Sequence, residues 1–247
     1  MGTGMATRTG MAIMITTAEP PLTAAQFQRL ATWFSPSFPI GGFSYSHGLE
    51  AAFEAGLVSG RAGLAGWIEG LMAFGSARND AILFREAYRL APDVDPIAEI
   101  AAALSPSAEL RAETLNQGEA FLRAVRQGWP EFAGVAAEGP GAVLNSATPF
   151  ALPVAAGLCC ALAGIPLHAS LLAYLHAFAA NIVSAALRSM PVGQSDGLAV
   201  QAMLEPAIAQ VAEQALGLDL DDLGSATPML DWLSATHETQ YSRLFRS

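Results

Sequence analysis

The stretch LHASLLAYLHAFAANIVSAALR, residues 167–188, decides what kind of fold this chain makes. Its apolar residues recur with helical period, it holds no charge before Arg188, and it is long enough to cross a bilayer. It closes a longer run, from Glu138 to Arg188, in which no residue carries a formal charge. A membrane hairpin and a buried helical core are the two readings. Pro149, Pro153, Gly164 and Pro166 chop the run, and Asn145, His168, His176 and Asn181 would be costly in lipid. Small residues crowd it, as in Ala155-Ala156-Gly157 and Ala179-Ala180. The expectation is therefore helices buried centrally or at a homodimer interface, and no membrane span.

Working outward, the whole chain reads the same way. It is 52% hydrophobic and 14% charged over 247 residues, enough to bury a large core. Strand-like alternation of valine, isoleucine and threonine is nearly absent, so propensity and period together predict an all-α fold. Thr23 caps a first helix with Phe27, Leu30, Ala31 and Phe34 on one face, stopped by Ser35-Pro36. A second helix is expected from a Ser46 cap to about Val58. A third starts after Ser59 with Leu64, Trp67, Ile68, Leu71 and Met72 inward, and continues or restarts through Ile82, Leu83, Phe84 and Tyr88. Further helices are expected over 93–103, from Ser105-Pro106 to Gly128, and over about 147–163, 167–188, 195–216 and 225–236. No repeat or linker divides them. The reading is a single-domain bundle of about nine to ten helices spanning 22–236, with a flexible leader at 1–21 and a docking tail at 237–247.

Several function classes drop out on composition. All twelve basic residues are arginine, so no phosphate-loop lysine, Schiff base or lysine general base is available. A net charge of -10 opposes nucleic-acid binding and suits basic protein partners. Cys159 and Cys160 are adjacent, poor geometry for a disulfide and no metal motif, and read as buried small hydrophobes in a reduced, cytoplasmic protein. The leader's Met11 to Ile15 run is too short for a signal-peptide core.

Two constellations invite enzymatic or metal readings. Gly193-Gln194-Ser195-Asp196-Gly197 matches a nucleophile elbow, and Asp231 and His237 follow in the order of a serine hydrolase. The elbow needs a strand entering the serine. The segment ahead of it is helical by period, so Ser195 and Asp196 read better as helix-capping residues, with the hydrolase kept as the runner-up. His168 and His176 lie eight residues apart on one helix, roughly 12 Å at 1.5 Å per residue, and cannot share an ion. His237-Glu238 begins like a zinc-protease helix, but Tyr241 stands where the second histidine belongs. Neither a catalytic set, a resident metal site nor a cofactor motif emerges.

The segment Ser35 to Glu50, SPSFPIGGFSYSHGLE, mixes aromatics with helix breakers and leads straight into a helix. Phe38, Phe43 and Tyr45 are large surfaces that either plug the molecule or present a dock. At the other end, Tyr241-Ser242-Arg243-Leu244-Phe245-Arg246 sets two arginines among aromatics, the residue types that anchor interfaces. In mid-chain, Gly118 costs on the order of 1 kcal/mol against alanine, which points to close helix packing, and Asn116 and Gln117 read as a hydrogen-bonding pair at a helix crossing.

Four segments together resemble the UreF family of urease accessory proteins: Ser35 to Glu50, Leu115 to Leu122, Met190 to Gly197, and His237 to Phe245. The resemblance implies a non-catalytic scaffold in nickel insertion. Such a protein forms homodimers and bridges a UreD-type (UreH) protein to the UreG GTPase, supporting GTP-dependent delivery to the urease apoprotein. Nickel is then cargo of the pathway rather than a cofactor. The partner-binding surface is expected to be formed or supported by Phe38, Pro39, Gly41, Gly42, Phe43, Tyr45, His47 and Glu50, with His237, Glu238, Tyr241, Arg243, Leu244 and Phe245. The chain departs from the family mainly in its leader and its lack of lysine.

Overall fold

Thr23 and Gln26 show how the first helix begins. The Thr23 hydroxyl accepts the Gln26 amide at 3.3 Å while the Gln26 side chain accepts the Thr23 amide at 2.9 Å, a reciprocal capping box that opens α1, Ala24–Trp33. The computed structural model describes residues 20–105, 107–132, 144, 148–226 and 245. Among these, eight further α-helices follow and no strand occurs: α2 (Leu49–Glu54), α3 (Gly60–Phe74), α4 (Ser76–Leu90), α5 (Asp95–Ala103), α6 (Ala108–Gly128), α7 (Leu152–Leu162), α8 (Leu167–Ser189) and α9 (Gln194–Ala215). The all-α, multi-helix fold expected from period and propensity is the fold observed.

The charge-free run builds the middle of the molecule. Every residue of α7 from Pro153 to Cys160 is buried, and this helix packs chiefly on α4 and α6. Two glycines permit the approach. A Cβ on Gly118 of α6 would lie 1.9 Å from the Phe150 carbonyl oxygen, and one on Gly157 of α7 would lie 2.3 Å from that of Phe84 in α4. Backbone thus packs on backbone on both sides of α7, the close crossing that Gly118 suggested. Of the expected pair beside it, Gln117 is buried and donates to Glu113 at 3.0 Å, whereas Asn116 points outward. The long apolar helix α8 meets the length and hydropathy of a membrane span, but 56% of its most apolar window is packed inside the fold, against α4 and α9. Cys159 and Cys160 are buried and free, and burial pushes the Cys160 thiol up to about 12.

The segment after Ser59 restarts at Gly75, one of the two readings open to it, giving α3 and α4. Other boundaries differ from the sequence reading. The helix expected at Ser105 is capped instead by Ser107, whose hydroxyl accepts the Leu110 amide at 3.2 Å. Ser46 does not cap α2. It is fully buried, and the helix starts at Leu49 behind two consecutive left-handed residues, His47 at φ 51° and Gly48 at φ 72°. A left-handed pair turns the chain too sharply for a helix to pass through it. Of the last expected helix, Ser225 and Ala226 are not helical and residues 227–236 lie outside the described residues, as do residues 1–19 of the leader.

Candidate functional site

The segment Ser35 to Glu50, the signature segment, wraps across one side of the bundle and is pinned by aromatics. Trp33, at the end of α1, meets Phe121, Trp129 and Phe132 edge-on at centroid distances of 6.1, 5.5 and 6.1 Å. Phe38 joins this cluster through Phe121 at 5.2 Å. Tyr45 is buried as well, so two of the three aromatics in the segment hold it down. The third does not. Phe43 lies in a 3₁₀ turn, Gly42–Ser44, with 68% of its surface exposed.

The backbone between them depends on glycine for two reasons. Gly41 takes a left-handed conformation, φ 76°, ahead of the turn. Gly42 is buried on α8, where a Cβ would come within 3.0 Å of the Asn181 amide nitrogen. Pro39 is exposed, and His47 is half-buried with its ring 4.9 Å from that of Phe178 on α8. Of the residues expected to form or support a docking surface, Phe43, Pro39 and Gly41 therefore reach the surface most openly, and Phe38, Tyr45, Gly42 and Glu50 lie beneath it.

Under the segment is a cavity of about 430 Å³, bounded by residues 33–43 and His47 and by faces of α4, α6 and α8. Its two carboxylates, Glu113 and Asp80, were not singled out by the sequence. Glu113 on α6, buried, accepts from Gln117 and stands 3.5 Å from His47 Nε2. Asp80 on α4 keeps some accessible surface on the cavity wall yet is enclosed enough that its carboxyl is pushed up to about 7. Desolvation is the main cause. The Tyr174 hydroxyl, donating at 2.7 Å, works in the other direction, and the Glu113 charge adds to the rise. Burial likewise drives the Tyr174 phenol well above its ordinary value. Helical register held the clue to Asp80: it lies three residues after Ala77 and four before Phe84, both inward, so a carboxylate had to face the interior.

Phe245, from the carboxy-terminal segment, lies against this region. Phe245 is 3% exposed, its backbone N–H donates to Glu50 Oε2 at 3.2 Å, and the Arg188 guanidinium sits 4.7 Å above its ring. His237, Glu238, Tyr241, Arg243 and Leu244 lie outside the described residues, as does Asp231.

The hydrolase geometry is not found around Ser195. The chain enters from α8 through Met190 to Val192, Gly193 precedes α9, and its amide meets the Asp196 carboxylate at 3.5 Å, so Ser195 sits in the first turn of a helix with no strand before it. Among the described residues no group of three histidine, cysteine or acidic side chains is placed to hold a metal ion. His168 pairs instead with Glu213 at 3.6 Å.

Comparison with known proteins decides whether this helical bundle belongs to a known family. The UreF family model matches residues 58–205, and urease accessory protein UreF of Bradyrhizobium diazoefficiens is 46% identical over 230 residues, covering 91% of this chain and 93% of its own. The chain belongs to the UreF family. Two further UreF proteins agree: that of Methylobacterium radiotolerans, 46% identical over 92% of this chain and 100% of its own, and that of Azorhizobium caulinodans, 46% identical over 95% and 99%. The UreF model begins after the signature segment and ends before the tail, whereas the alignments with whole relatives cover nearly all of the chain. This UreF-family chain therefore shares more with its relatives than the helical core alone.

Proposed function

We propose that this chain is a non-catalytic scaffold in urease maturation, a cytoplasmic homodimer that bridges a UreD-type protein and the UreG GTPase during nickel insertion into the urease apoprotein. Membership of the UreF family supports the accessory role. One structural observation carries the scaffold reading: a conformationally fixed segment holds Phe43 out in solvent while the far end of the chain, at Phe245, is seated on the same segment through Glu50. Rigid exposed aromatics are costly for solubility and are the usual anchors of interfaces. Nickel is treated as cargo.

Light scattering after size exclusion, on the chain alone and mixed with its UreD-type protein and GTPase, tests the reading. The expected result is a homodimer that shifts into a larger stoichiometric complex. Truncation after Thr239 should leave helix content unchanged and lower affinity for the UreD-type partner by at least roughly tenfold. Equal affinity in the truncated chain would sink the tail's role, and a monomer that ignores both partners would sink the scaffold itself.

A further inference from the structure

The cavity under the signature segment carries an excess of acid. Asp80, Glu113 and His47 line it, no arginine does so among the described residues, and the chain has no lysine. Glu113 stands beside His47 and Gln117. Asp80 has a single hydrogen-bond partner among the described residues, the Tyr174 hydroxyl on Oδ2. Burial pushes the Asp80 carboxyl up to about 7, and a cation entering the cavity would let it ionise. At about 430 Å³ the space lies within the range of about 300 to 1,000 Å³ typical of small-molecule sites.

An aromatic row leads to that acid. Phe38, Phe121, Phe34 and Tyr174 follow one another at centroid distances of 5.2, 6.2 and 6.1 Å, and all four line the cavity. The row ends at the hydroxyl that holds Asp80. Ring faces attract ammonium and guanidinium groups, and more strongly where water is excluded. Beside Asp80 is an idle acceptor. Ser76 Oγ is buried with no hydrogen-bond partner among the described residues, and Ser76 lies four residues before Asp80 on α4. Both side chains therefore leave one face of the helix, and both line the cavity.

We propose that this cavity binds a small organic cation, an ammonium or guanidinium group on an apolar body, its charge against Asp80 and Ser76 and its body along the aromatic row. A metal ion fits less well, because no three histidine, cysteine or acidic side chains among the described residues are placed to hold one. Entry of the cation releases the Asp80 proton to solvent, so binding strengthens as pH rises. Glu113 from α6, Tyr174 from α8 and His47 from the signature segment face the same space, and substitution of Asp80 separates its part from theirs. The site concerns the chain on its own and stands apart from the scaffold reading.

Benzamidinium and benzylammonium, titrated into the purified chain by calorimetry, are the probes, with benzamide as the uncharged counterpart. Saturable binding of at least one cation at millimolar concentration or below is expected, with benzamide at least roughly tenfold weaker. Affinity for the cation should rise by up to about tenfold from about pH 6 to about pH 8, following the ionised fraction of a carboxyl that titrates near 7. Asp80→Asn keeps the shape of the side chain and so the fold. It should lose at least roughly tenfold in cation affinity at the higher pH, and the pH dependence with it, while benzamide binding is unchanged. Ser76→Ala, a second variant, should lose about threefold. No saturable binding of either cation, equal binding of benzamide, or full affinity in Asp80→Asn overturns the site. Nickel(II) binding that disappears in Asp80→Asn would assign the cavity to a metal ion and overturn it too.

Discussion

Asp80 carries a pH signature that one substitution can isolate. Its carboxyl titrates near 7 in the folded chain against an ordinary 3.8, because enclosure disfavours the ionised form more than the Tyr174 hydroxyl favours it. A raised acid binds its proton more tightly when folded. Its penalty on stability is therefore absent below about pH 4, grows as pH rises towards 7, and is constant above that. At full size the penalty is at most about 4 kcal/mol, and water in the cavity reduces it. Asp80→Asn should accordingly gain stability over the parent between pH 4 and pH 8, measured by urea unfolding at each pH. A difference between the two proteins that stays flat across that range would rule this out. At this scale the sequence was only partly legible. Phe38, Phe43 and Tyr45 could be picked out as residues needing an explanation, but which of them is buried depends on Phe121 and Trp129, some eighty to ninety residues away. Asp80 and Glu113 are ordinary helix residues until α4, α6 and α8 are assembled around them.

At the scale of elements, local chemistry located most of the helices. Thr23 and Ser59 stand just before α1 and α3, and the charge-free run gave α8 and the end of α7 nearly as observed, with α7 starting at Leu152 rather than near Ala147. The start of α2 was missed because a serine before an apolar run looks like a cap whether or not the next residues are left-handed, and only tertiary contacts hold His47 at φ 51°. The packing of α7 gives a sharp prediction. Gly118→Ala puts a methyl group 1.9 Å from the Phe150 carbonyl, and Gly157→Ala puts one 2.3 Å from that of Phe84, so helices must separate. Each should cost about 3 kcal/mol or more in chemical unfolding. Gly66 on α3, where a Cβ meets nothing within 4 Å, is the control: alanine there should stabilise by about 0.5 to 1 kcal/mol. Equal effects at Gly118 and Gly66 would mean that α6 and α7 are not in backbone contact.

For the molecule as a whole, the division is between a core written in periodicity and a surface written in exceptions to it. One buried apolar cluster runs from Leu30 to Ala215 through all nine helices described, which is why composition and period were enough for the fold class. The proposed docking surface follows no period, and the resemblance of two segments, Ser35 to Glu50 and His237 to Phe245, pointed to it where physical reading of single residues stopped short. Phe43→Ser tests it without disturbing that core. With 68% of the ring in solvent, the substitution should change unfolding free energy by no more than about 0.5 kcal/mol, yet weaken binding to the UreD-type protein by roughly tenfold or more in a titration. Full affinity in that variant would move the interface elsewhere. The contact between Glu50 and Phe245 has a further consequence, in time. The two are separated by 195 residues, and at typical rates of about 5 to 20 residues per second Glu50 is made roughly 10 to 40 s before its partner in the contact. A nascent chain, or one cut short before Phe245, offers the signature loop without Phe245 seated beside it. A partner that reads both at once, as the proposed function would require, is thereby told that synthesis has passed Phe245 and passes over unfinished copies.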